Sequence, residues 1–151
     1  MTGGNRKAGC VFCDASRPPG PASLIVHEGT TCYIILNLYP YNNGHLMVVP
    51  HRHVPSLAGL TRDELVEIAT LTQRAEVALT EAYQPQGMNV GINLGKAAGA
   101  GVEAHVHVHV VPRWDGDTSF MTTVGSMRVL PEDLAATAAR LRPIFDKFGR
   151  A

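Results

Sequence analysis

Three histidines alternate with valines in the segment "EAHVHVHVVPRW", residues 103–114. Successive side chains of a β-strand point to opposite faces, so the pattern predicts a strand with His105, His107 and His109 on one face. The β-branched valines favour the same assignment and would fill the buried face. Three imidazoles buried without a function would leave six ring nitrogens in need of partners. The histidine face is therefore expected to bind a ligand or to perform chemistry.

Two kinds of chemistry could use this row of histidines. A catalytic metal needs three protein ligands, often including a carboxylate. Alternate residues of a strand lie roughly 6.5–7 Å apart at Cα, so three of them would be strained around one ion, and the strand contains no Asp or Glu. In the other kind, a neutral imidazole attacks a phosphorus or acyl centre while its neighbours stabilise the developing charge. The residues favour this second kind, with the central His107 as nucleophile and His109 contacting a phosphate oxygen or the leaving group.

A glycine-rich stretch, "NLGKAAGAG", precedes the histidines. Backbone N–H groups of such a loop, here at Gly99, Ala100 and Gly101, could approach a phosphate as they do in anion-binding nests. A flexible connection without a ligand would have the same composition. The stretch is compatible with both interpretations.

The three cysteines of the chain are an odd number, which argues against a disulfide scaffold. Cys10 and Cys13 form a "CVFC" pair, and in a reducing compartment such a pair is typical of half a metal site. Cys32 lies in the apolar run "CYIILNL" and is expected to be a small buried residue. The pair at the N-terminus is thus the second place where the sequence could do chemistry.

Length and charge limit the possible functions. A chain of 151 residues fits one domain and can bury a hydrophobic core without disulfides or structural metals. Thirteen basic and thirteen acidic residues cancel, which does not suggest a general polyanion-binding surface, so we expect no nucleic-acid partner and only local phosphate recognition. The chain has no apolar run of about 18 residues and no apolar N-terminal signal segment. The sequence predicts a cytoplasmic protein with no membrane partner.

Five strands are expected to position these residues. Strands at 24–29, 31–38 and 45–50, separated by short turns, predict an antiparallel meander. The alternating segment "MNVGINLG", at 88–95, predicts a fourth strand with a small, amide-rich polar side, and the histidine segment is the fifth. Strands that do not alternate strictly with helices indicate an α+β domain around an antiparallel sheet.

Two helices complete the prediction. A long helix from Thr61 to Ala82 begins at a capping box formed by Thr61 and Glu64. The apolar face of this helix is predicted to contain Leu65, Ile68, Thr72, Ala75, Leu79 and Ala82. A second helix is expected to start around Pro131, Glu132 and Asp133, and Pro143 should kink or stop it.

The motif "HVHVHVV" resembles the signature of the histidine triad (HIT) superfamily of nucleotide hydrolases and transferases, and the resemblance covers most of the chain. The "CVFC" pair and the segments "ILNLYPYNNGHLMVVPHRHV" and "VGINLGKAAGAGVEAHVHVHVVPRWDGDTSFM" look most like the actinobacterial branch, which includes diadenosine tetraphosphate phosphorylase. This implies one HIT domain over residues 1–151, with the CxxC segment at its N-terminus and a helical tail at its C-terminus. Many relatives have Gln or Ser/Thr just before the triad, whereas this chain has Ala100, Gly101 and Val102.

The resemblance implies a role for each matching residue. His107 would attack the α-phosphorus of an adenosine nucleotide and form an adenylyl-histidine, which water or another acceptor resolves. His109 would contact phosphate and assist the leaving group, and His45 of the Gly-His pair would help to hold the triad. Asn37, eight residues before His45, would bind ribose hydroxyls, and Asn93 would contact phosphate.

Two further residues are expected at the substrate. His105 is the first member of the triad and would lie beside the nucleotide. Trp114 would either stack on a nucleotide or cover the end of the sheet.

In zinc-containing members of the superfamily, two cysteines, a histidine after the third strand and the first triad histidine form a tetrahedral site. The matching residues here are Cys10, Cys13, His53 and His105, with His51 as a competing ligand, and a set of two sulfurs and two nitrogens suits zinc. Such a structural site would tie the N-terminus to the histidine strand. A reduced, metal-free pair of cysteines is the alternative.

The function expected from this resemblance is phosphorolysis of diadenosine tetraphosphate to ATP and ADP, with inorganic phosphate as acceptor. A dinucleoside polyphosphate or adenosine phosphoramidate hydrolase, which uses water, is the nearest alternative. A non-catalytic nucleotide-binding module and a metal-dependent hydrolase remain as other classes. The family also implies a homodimer in which the sheet continues across two subunits.

Overall fold

A five-stranded antiparallel sheet forms the centre of the protein in the computed structural model, which describes residues 9–15, 23–102, 104–117 and 132–149. The strands are β1 (Ile25–Glu28), β2 (Cys32–Leu36), β3 (Leu46–Pro50), β4 (Gly87–Ile92) and β5 (Val108–Arg113), and the helices are α1 (Val11–Ala15), α2 (Arg62–Tyr83) and α3 (Leu134–Asp146). The strand order is β1-β2-β3-β5-β4, with every neighbouring pair antiparallel. The predicted meander and the α+β class are confirmed.

The central strands β2 and β3 are buried along their whole length because both faces of the sheet are covered there. Helices α2 and α3 pack on one face, around residues such as Ile34, Val48 and Phe145. On the other face, Phe12 of α1 packs against Tyr33 and neighbouring apolar side chains. The apolar character of these strands therefore follows from burial on both sides, which removes the alternation expected of a half-exposed sheet.

Helix α2 begins as the sequence predicts, with both hydrogen bonds of the capping box between Thr61 and Glu64. Its buried face is rotated from the predicted one, because Leu65 is 43% exposed while Leu71 and Ala78 are fully buried. On the buried side of the first two turns, Glu64 accepts from Arg52 and Glu67 accepts from backbone N–H groups at the start of β2. Leu65 was therefore wrongly assigned to the buried face.

Helix α3 starts after Asp133, whose side chain accepts a hydrogen bond from the backbone N–H of Ala135. The helix continues through Pro143 to Asp146, so Pro143 does not stop it. Leu141 and Phe145 pack into the core on either side of the proline, and this packing offsets the missing backbone donor. The predicted start at Pro131 lies outside the described residues.

The histidine segment is only partly a strand, because β5 begins at Val108. The backbone N–H of Val106 instead donates to the carbonyl oxygen of Val54, 2.7 Å away in the loop after β3. The predicted burial of the valine face is confirmed for Val106, Val108 and Val110. His105 and His107 therefore lie on an extended segment leading into the sheet, and the prediction that they belong to the strand is wrong.

Strand β4 is the outer strand of the sheet within the described residues, and its only described strand neighbour is β5. Met88 and Ile92, from the predicted apolar side, pack against the core, whereas Val90, which the alternation assigns to the same side, is 52% exposed. The predicted apolar side of this strand is therefore buried only in part. The strand ends at Ile92, so Asn93 and Leu94 belong to the following loop.

Among the described helices, none combines the length and apolar character needed to cross a membrane.

Candidate active site and metal cluster

The central histidine of the triad is buried and has its ring orientation set by the backbone. His107 is 5% exposed, and its Nδ1 lies 3.0 Å from the carbonyl oxygen of His105. A carbonyl oxygen can only accept, so the hydrogen of the neutral ring is on Nδ1 and Nε2 carries a free lone pair. Burial lowers the pKa of His107, which keeps the ring neutral. His107 has the tautomer that a nucleophilic nitrogen requires.

A second chain of hydrogen bonds sets the tautomers of His45 and His109. The backbone N–H of Tyr41 donates to Nδ1 of His45 at 3.2 Å, so the His45 hydrogen is on Nε2. That Nε2 lies 3.0 Å from Nδ1 of His109, which accepts. The remaining hydrogen of His109 is then on Nε2, which makes His109 a donor toward a ligand. Burial lowers the pKa of both rings, that of His45 to about 4, so both are neutral near pH 7.

Asn37 lies beside this pair of rings, after the end of β2. Its Oδ1 accepts from the backbone N–H of Tyr39 at 2.9 Å, and its Nδ2 lies 3.4 Å from Nε2 of His45. The shorter contact of His45 with His109 takes the Nε2 hydrogen. The structure thus places Asn37 against the histidine chain.

An open cleft of about 230 Å³ lies over β4 and β5, on the side of the sheet away from α2. Its lining residues are Tyr41, His45, Asn89, Val90, Gly91, Asn93, His109 and Val111. The ring of His107 lies 4.7 Å, centroid to centroid, from that of His109 and contacts Phe12 on its other side. The fold therefore brings four predicted residues, His45, His107, His109 and Asn93, to one place.

Trp114 lies in a different cavity of about 490 Å³, at the far end of β4 and β5. Among the described residues, this cavity is lined by none of the three triad histidines, and it meets the first cleft at Asn89, which lines both. The structure therefore places Trp114 apart from His107, and its predicted stacking on a nucleotide stays a prediction.

The glycine-rich loop forms a short 3₁₀ turn, Lys96–Ala98, followed by Gly99 in a left-handed conformation. The backbone N–H of Gly99 donates to Lys96, and that of Ala100 donates to Gly95. Of the three amides predicted as phosphate donors, only that of Gly101 has no acceptor in the described part of the chain. Two of the three predicted phosphate donors therefore hold the loop's own turn.

Four side chains from three segments form a cluster that could hold a metal ion: Cys10, Cys13, His53 and His105. The Sγ atoms of Cys10 and Cys13 lie 3.5 and 3.6 Å from Nδ1 of His105, and Sγ of Cys13 lies 3.4 Å from Nδ1 of His53. In a tetrahedral site with metal–sulfur and metal–nitrogen distances typical of zinc, a ligand sulfur and a ligand nitrogen lie about 3.6 Å apart. The spacing of the donor atoms fits such a site.

His105 also has the tautomer that a metal ligand needs. Its Nε2 donates to the carbonyl oxygen of Pro50 at 2.8 Å, so the lone pair is on Nδ1, which faces the thiols. Both ring nitrogens are thus engaged inside the protein, and the backbone carbonyl of His105 holds His107. The competing candidate, His51, lies outside the cluster, with its Nε2 3.6 Å from a carboxylate oxygen of Glu28.

Residues 21–116 match the family model described as the HIT domain, which is more than half of the chain. The chain belongs to the HIT family. This HIT protein is 49% identical over 114 residues to the AP-4-A phosphorylase of Mycobacterium tuberculosis, which confirms the resemblance to that branch. The alignment covers 76% of this chain and 58% of the mycobacterial protein, so the HIT protein spans less than two thirds of that relative's length.

Solved structures confirm the HIT fold. A Zn-bound histidine triad family protein from Mycobacterium smegmatis superposes with a TM-score of 0.73 at 29% identity, covering 93% of this HIT protein and 95% of that chain. A hypothetical histidine triad nucleotide-binding protein from Sulfolobus tokodaii gives a TM-score of 0.73 at 25% identity, covering 92% of this HIT protein and 93% of that chain.

Three residues of the HIT protein's site were not predicted from the sequence. Phe12, between the two cysteines, packs against the rings of His105 and His107. The backbone N–H of Tyr41 sets the tautomer of His45, and the Tyr41 ring stacks on the His45 ring with 5.7 Å between the ring centroids. Asn42 anchors the loop that carries Tyr41. Only the position of Phe12 inside the "CVFC" motif offered a signal. Tyr41 acts through its backbone amide, which nearly any residue type would supply, and Asn42 acts through contacts 70 and 75 residues away.

Proposed function

We propose that this protein is a nucleotidyl transferase that cleaves diadenosine polyphosphates, converting diadenosine tetraphosphate and phosphate into ATP and ADP. The observation that carries the proposal is the tautomer of His107, whose Nε2 lone pair is left free by the hydrogen bond from Nδ1 to the His105 carbonyl. The 49% identity to the mycobacterial AP-4-A phosphorylase supports the choice of substrate.

In the first step, Nε2 of His107 attacks the α-phosphorus of one adenosine. A nitrogen–phosphorus bond forms, and the bond from this phosphorus to the oxygen that bridges it to the β-phosphorus breaks. The electron pair of the broken bond goes to that oxygen, which leaves as part of ATP. His109 can donate its Nε2 hydrogen to the same oxygen, because the chain of hydrogen bonds through His45 leaves that hydrogen on the side of the ligand. The protein then holds an adenylyl group on His107.

In the second step, an oxygen of inorganic phosphate attacks the adenylyl phosphorus. The nitrogen–phosphorus bond breaks, ADP leaves, and the electron pair returns to Nε2 of His107. The proton that the attacking phosphate loses passes to Nε2 of His109, which restores the hydrogen given up in the first step. The neutral ring of His109 suits both steps because it exchanges a proton with the phosphate groups without holding the polyphosphate as a fixed cation would. We propose Asn37 as the contact for ribose hydroxyls, and Asn93, at the rim of the cleft, as a phosphate contact.

We propose zinc as the ion of the cysteine–histidine cluster, held by Cys10, Cys13, His53 and His105. The ion would supply a structural link between α1 and the histidine segment. The chain's own contribution is the backbone of His105, which holds Nδ1 of His107. The zinc-bound relative from Mycobacterium smegmatis supports this assignment.

The acceptor can be tested with one product assay. The protein is incubated with diadenosine tetraphosphate, with and without inorganic phosphate, and the nucleotides are separated by chromatography. Formation of ADP and ATP only in the presence of phosphate is the expected result. Formation of AMP and ATP in both samples would make the protein a hydrolase instead, and no turnover in either sample would exclude both activities.

We also propose that the chain forms a single HIT domain that assembles as a homodimer through β4. The outer edge of β4 offers backbone hydrogen-bonding groups, and Val90 at its middle is exposed. A second copy of the strand could pair there and extend the sheet. A Val90→Lys variant should sediment as a monomer at concentrations at which the parent protein sediments as a dimer, and a dimeric variant would exclude this interface.

A further inference from the structure

Asn42 joins two loops that are far apart in sequence. Its Nδ2 donates to the carbonyl oxygen of Pro112 at 2.9 Å and to Oδ2 of Asp117 at 2.7 Å, 70 and 75 residues away. Both hydrogens of the amide are used, and both partners can only accept, so the orientation of the Asn42 side chain is defined. The contact connects the loop between β2 and β3 to the end of β5.

Asp117 is itself held firmly. Its side chain is 11% exposed and accepts from Nε and a terminal nitrogen of Arg113 at 2.9 and 2.8 Å. Its Oδ2 also accepts from the backbone N–H of Trp114 at 2.9 Å. Asn42 is therefore attached to a carboxylate that is part of the rigid end of the sheet.

The turn anchored by Asn42 contains the amide that sets the catalytic tautomers. The backbone N–H of His45 donates to the carbonyl oxygen of Asn42 at 3.2 Å, and the backbone N–H of Tyr41 donates to Nδ1 of His45 at 3.2 Å. Tyr41 is 84% exposed and its ring stacks on that of His45, so this contact does not tie the Tyr41 backbone to the end of the sheet. The nearest side-chain anchor of the Tyr41 amide is that of the next residue, Asn42.

We infer that Asn42, fixed by Asp117 and the Pro112 carbonyl, is a positioning residue that keeps the Tyr41 amide on His45 and so keeps the hydrogen of His109 on Nε2. Without this anchor the Tyr41 amide can move away, and Nδ1 of His45 is then free to carry the hydrogen. Nε2 of His45 would accept from Nδ1 of His109, and Nε2 of His109 would lose its hydrogen. The catalytic part of this inference depends on the proposed function, because it assigns that hydrogen to the leaving group.

The kinetic test compares two substrates that differ in their need for a proton donor. ATP leaves diadenosine tetraphosphate as a basic phosphate oxygen, whereas nitrophenolate leaves the p-nitrophenyl ester of AMP without protonation. Asn42→Ala should lower kcat for the tetraphosphate by roughly tenfold and that for the nitrophenyl ester by less than about twofold. An equal loss for both substrates, or no loss for either, would overturn the inference.

The matched control is Asn43→Ala, which removes an adjacent asparagine from the same loop. Asn43 accepts from the backbone N–H of Glu132 at 2.7 Å and so anchors the loop toward α3 instead of toward β5. Its kcat should stay within about twofold of the parent value for both substrates. A tenfold loss in Asn43→Ala that is selective for the tetraphosphate would show that any loosening of the loop has this effect, and would remove the special role of Asn42.

A spectroscopic readout is independent of the substrate. Two-bond ¹H–¹⁵N correlation spectra of the histidine rings should show the His109 hydrogen on Nε2 in the parent protein, and a mixture of both tautomers in Asn42→Ala. An unchanged tautomer in Asn42→Ala overturns the positioning role even where the parent protein cleaves the tetraphosphate. A changed tautomer in a protein without that activity refutes the proposed function and leaves the positioning role intact.

Two further variants test the role of Asp117 as the partner of Asn42. Asp117→Ala should shift the His109 tautomer in the same direction. The kcat of the double variant for the tetraphosphate should be no lower than that of the less active single variant, because both substitutions break the same contact between Asn42 and Asp117. Additive losses in kcat for the tetraphosphate would show that the two residues act separately and would overturn the coupling.

Discussion

The carbonyl oxygen of His105 lies 3.0 Å from Nδ1 of His107, while the ring of His105 faces the thiols of Cys10 and Cys13. His105 therefore contributes its side chain to the cysteine–histidine cluster and its backbone carbonyl to the orientation of His107, the proposed nucleophile. The cluster and the cleft are adjacent, and we expect the position of the N-terminal segment to affect the orientation of His107.

His107→Ala should abolish turnover of diadenosine tetraphosphate, with a loss of about a thousandfold or more, because no other ring nitrogen is placed to form the covalent bond. Intact-protein mass spectrometry after rapid quenching should detect an adenylyl adduct on the parent protein. His109→Ala is the matched variant, since it keeps the nucleophile and should still form the adduct with the p-nitrophenyl ester of AMP. An adduct on His107→Ala would refute the assignment of the nucleophile.

Cys13→Ser should lose the proposed metal ion and the stability that the ion would provide. A metal present at a hundredfold excess over its dissociation constant stabilises the folded protein by about 2.7 kcal/mol, so a loss of about 3 kcal/mol is expected. Metal content by mass spectrometry and thermal unfolding with and without a chelator measure both effects. His51→Ala is the control, because His51 lies near the cluster but contacts Glu28. If His51→Ala loses the metal and Cys13→Ser retains it, His51 is a ligand and Cys13 is not, which would contradict the assignment.

The stability of the protein should fall between pH 7 and pH 5 partly because of His45. Burial, followed by the neighbouring histidines, lowers the pKa of His45 from 6.5 to about 4. In that window the unfolded chain binds a proton that the folded protein does not, so acid favours unfolding. The parent protein should lose about 2 kcal/mol more than His45→Gln between these pH values. Urea unfolding at both values measures the difference, and equal losses would contradict the prediction.

Glu67→Ala should destabilise the protein by about 2–4 kcal/mol without touching the cleft. The buried carboxylate of Glu67 accepts from the backbone N–H groups of Thr30, Thr31 and Cys32 at 3.2, 2.7 and 2.6 Å, and the substitution would leave these donors without their acceptor. Glu76→Ala, on the exposed side of the same helix, should change the free energy of unfolding by less than about 0.5 kcal/mol. Similar urea midpoints for the two variants would show that the three contacts contribute little.

Short-range patterns predicted most of the elements and some of the residues that the structure brings together at the candidate site. Alternation in "HVHVHVV" predicted the buried valines, the T-x-x-E spacing predicted the start of α2, and "CVFC" predicted half of the metal cluster. These patterns are readable because they depend on the geometry of one strand, one helical turn or one short loop. The other half of the cluster, His53 and His105, came from the resemblance to the family.

Packing between distant segments decided the rest. The strand could not be extended to His105, because the amide of Val106 pairs with Val54 in another loop. Leu65 faces solvent, because Glu64 and Glu67 take the buried side of the first two turns of α2, where Arg52 and the backbone at the start of β2 bind their carboxylates. Trp114 lies in a separate cavity, because β5 carries it past the cleft.

The sequence alone determined which residues could do chemistry here, since residue type and local spacing are written directly in the chain. Only the tertiary structure decided which nitrogen of each imidazole carries the hydrogen. That choice depends on backbone groups such as the His105 carbonyl and the Tyr41 amide, and on an Asn42–Asp117 contact that spans 75 residues. A hydrogen bond is short and directional, so its partners are set by the folded arrangement of the backbone, which no local pattern encodes.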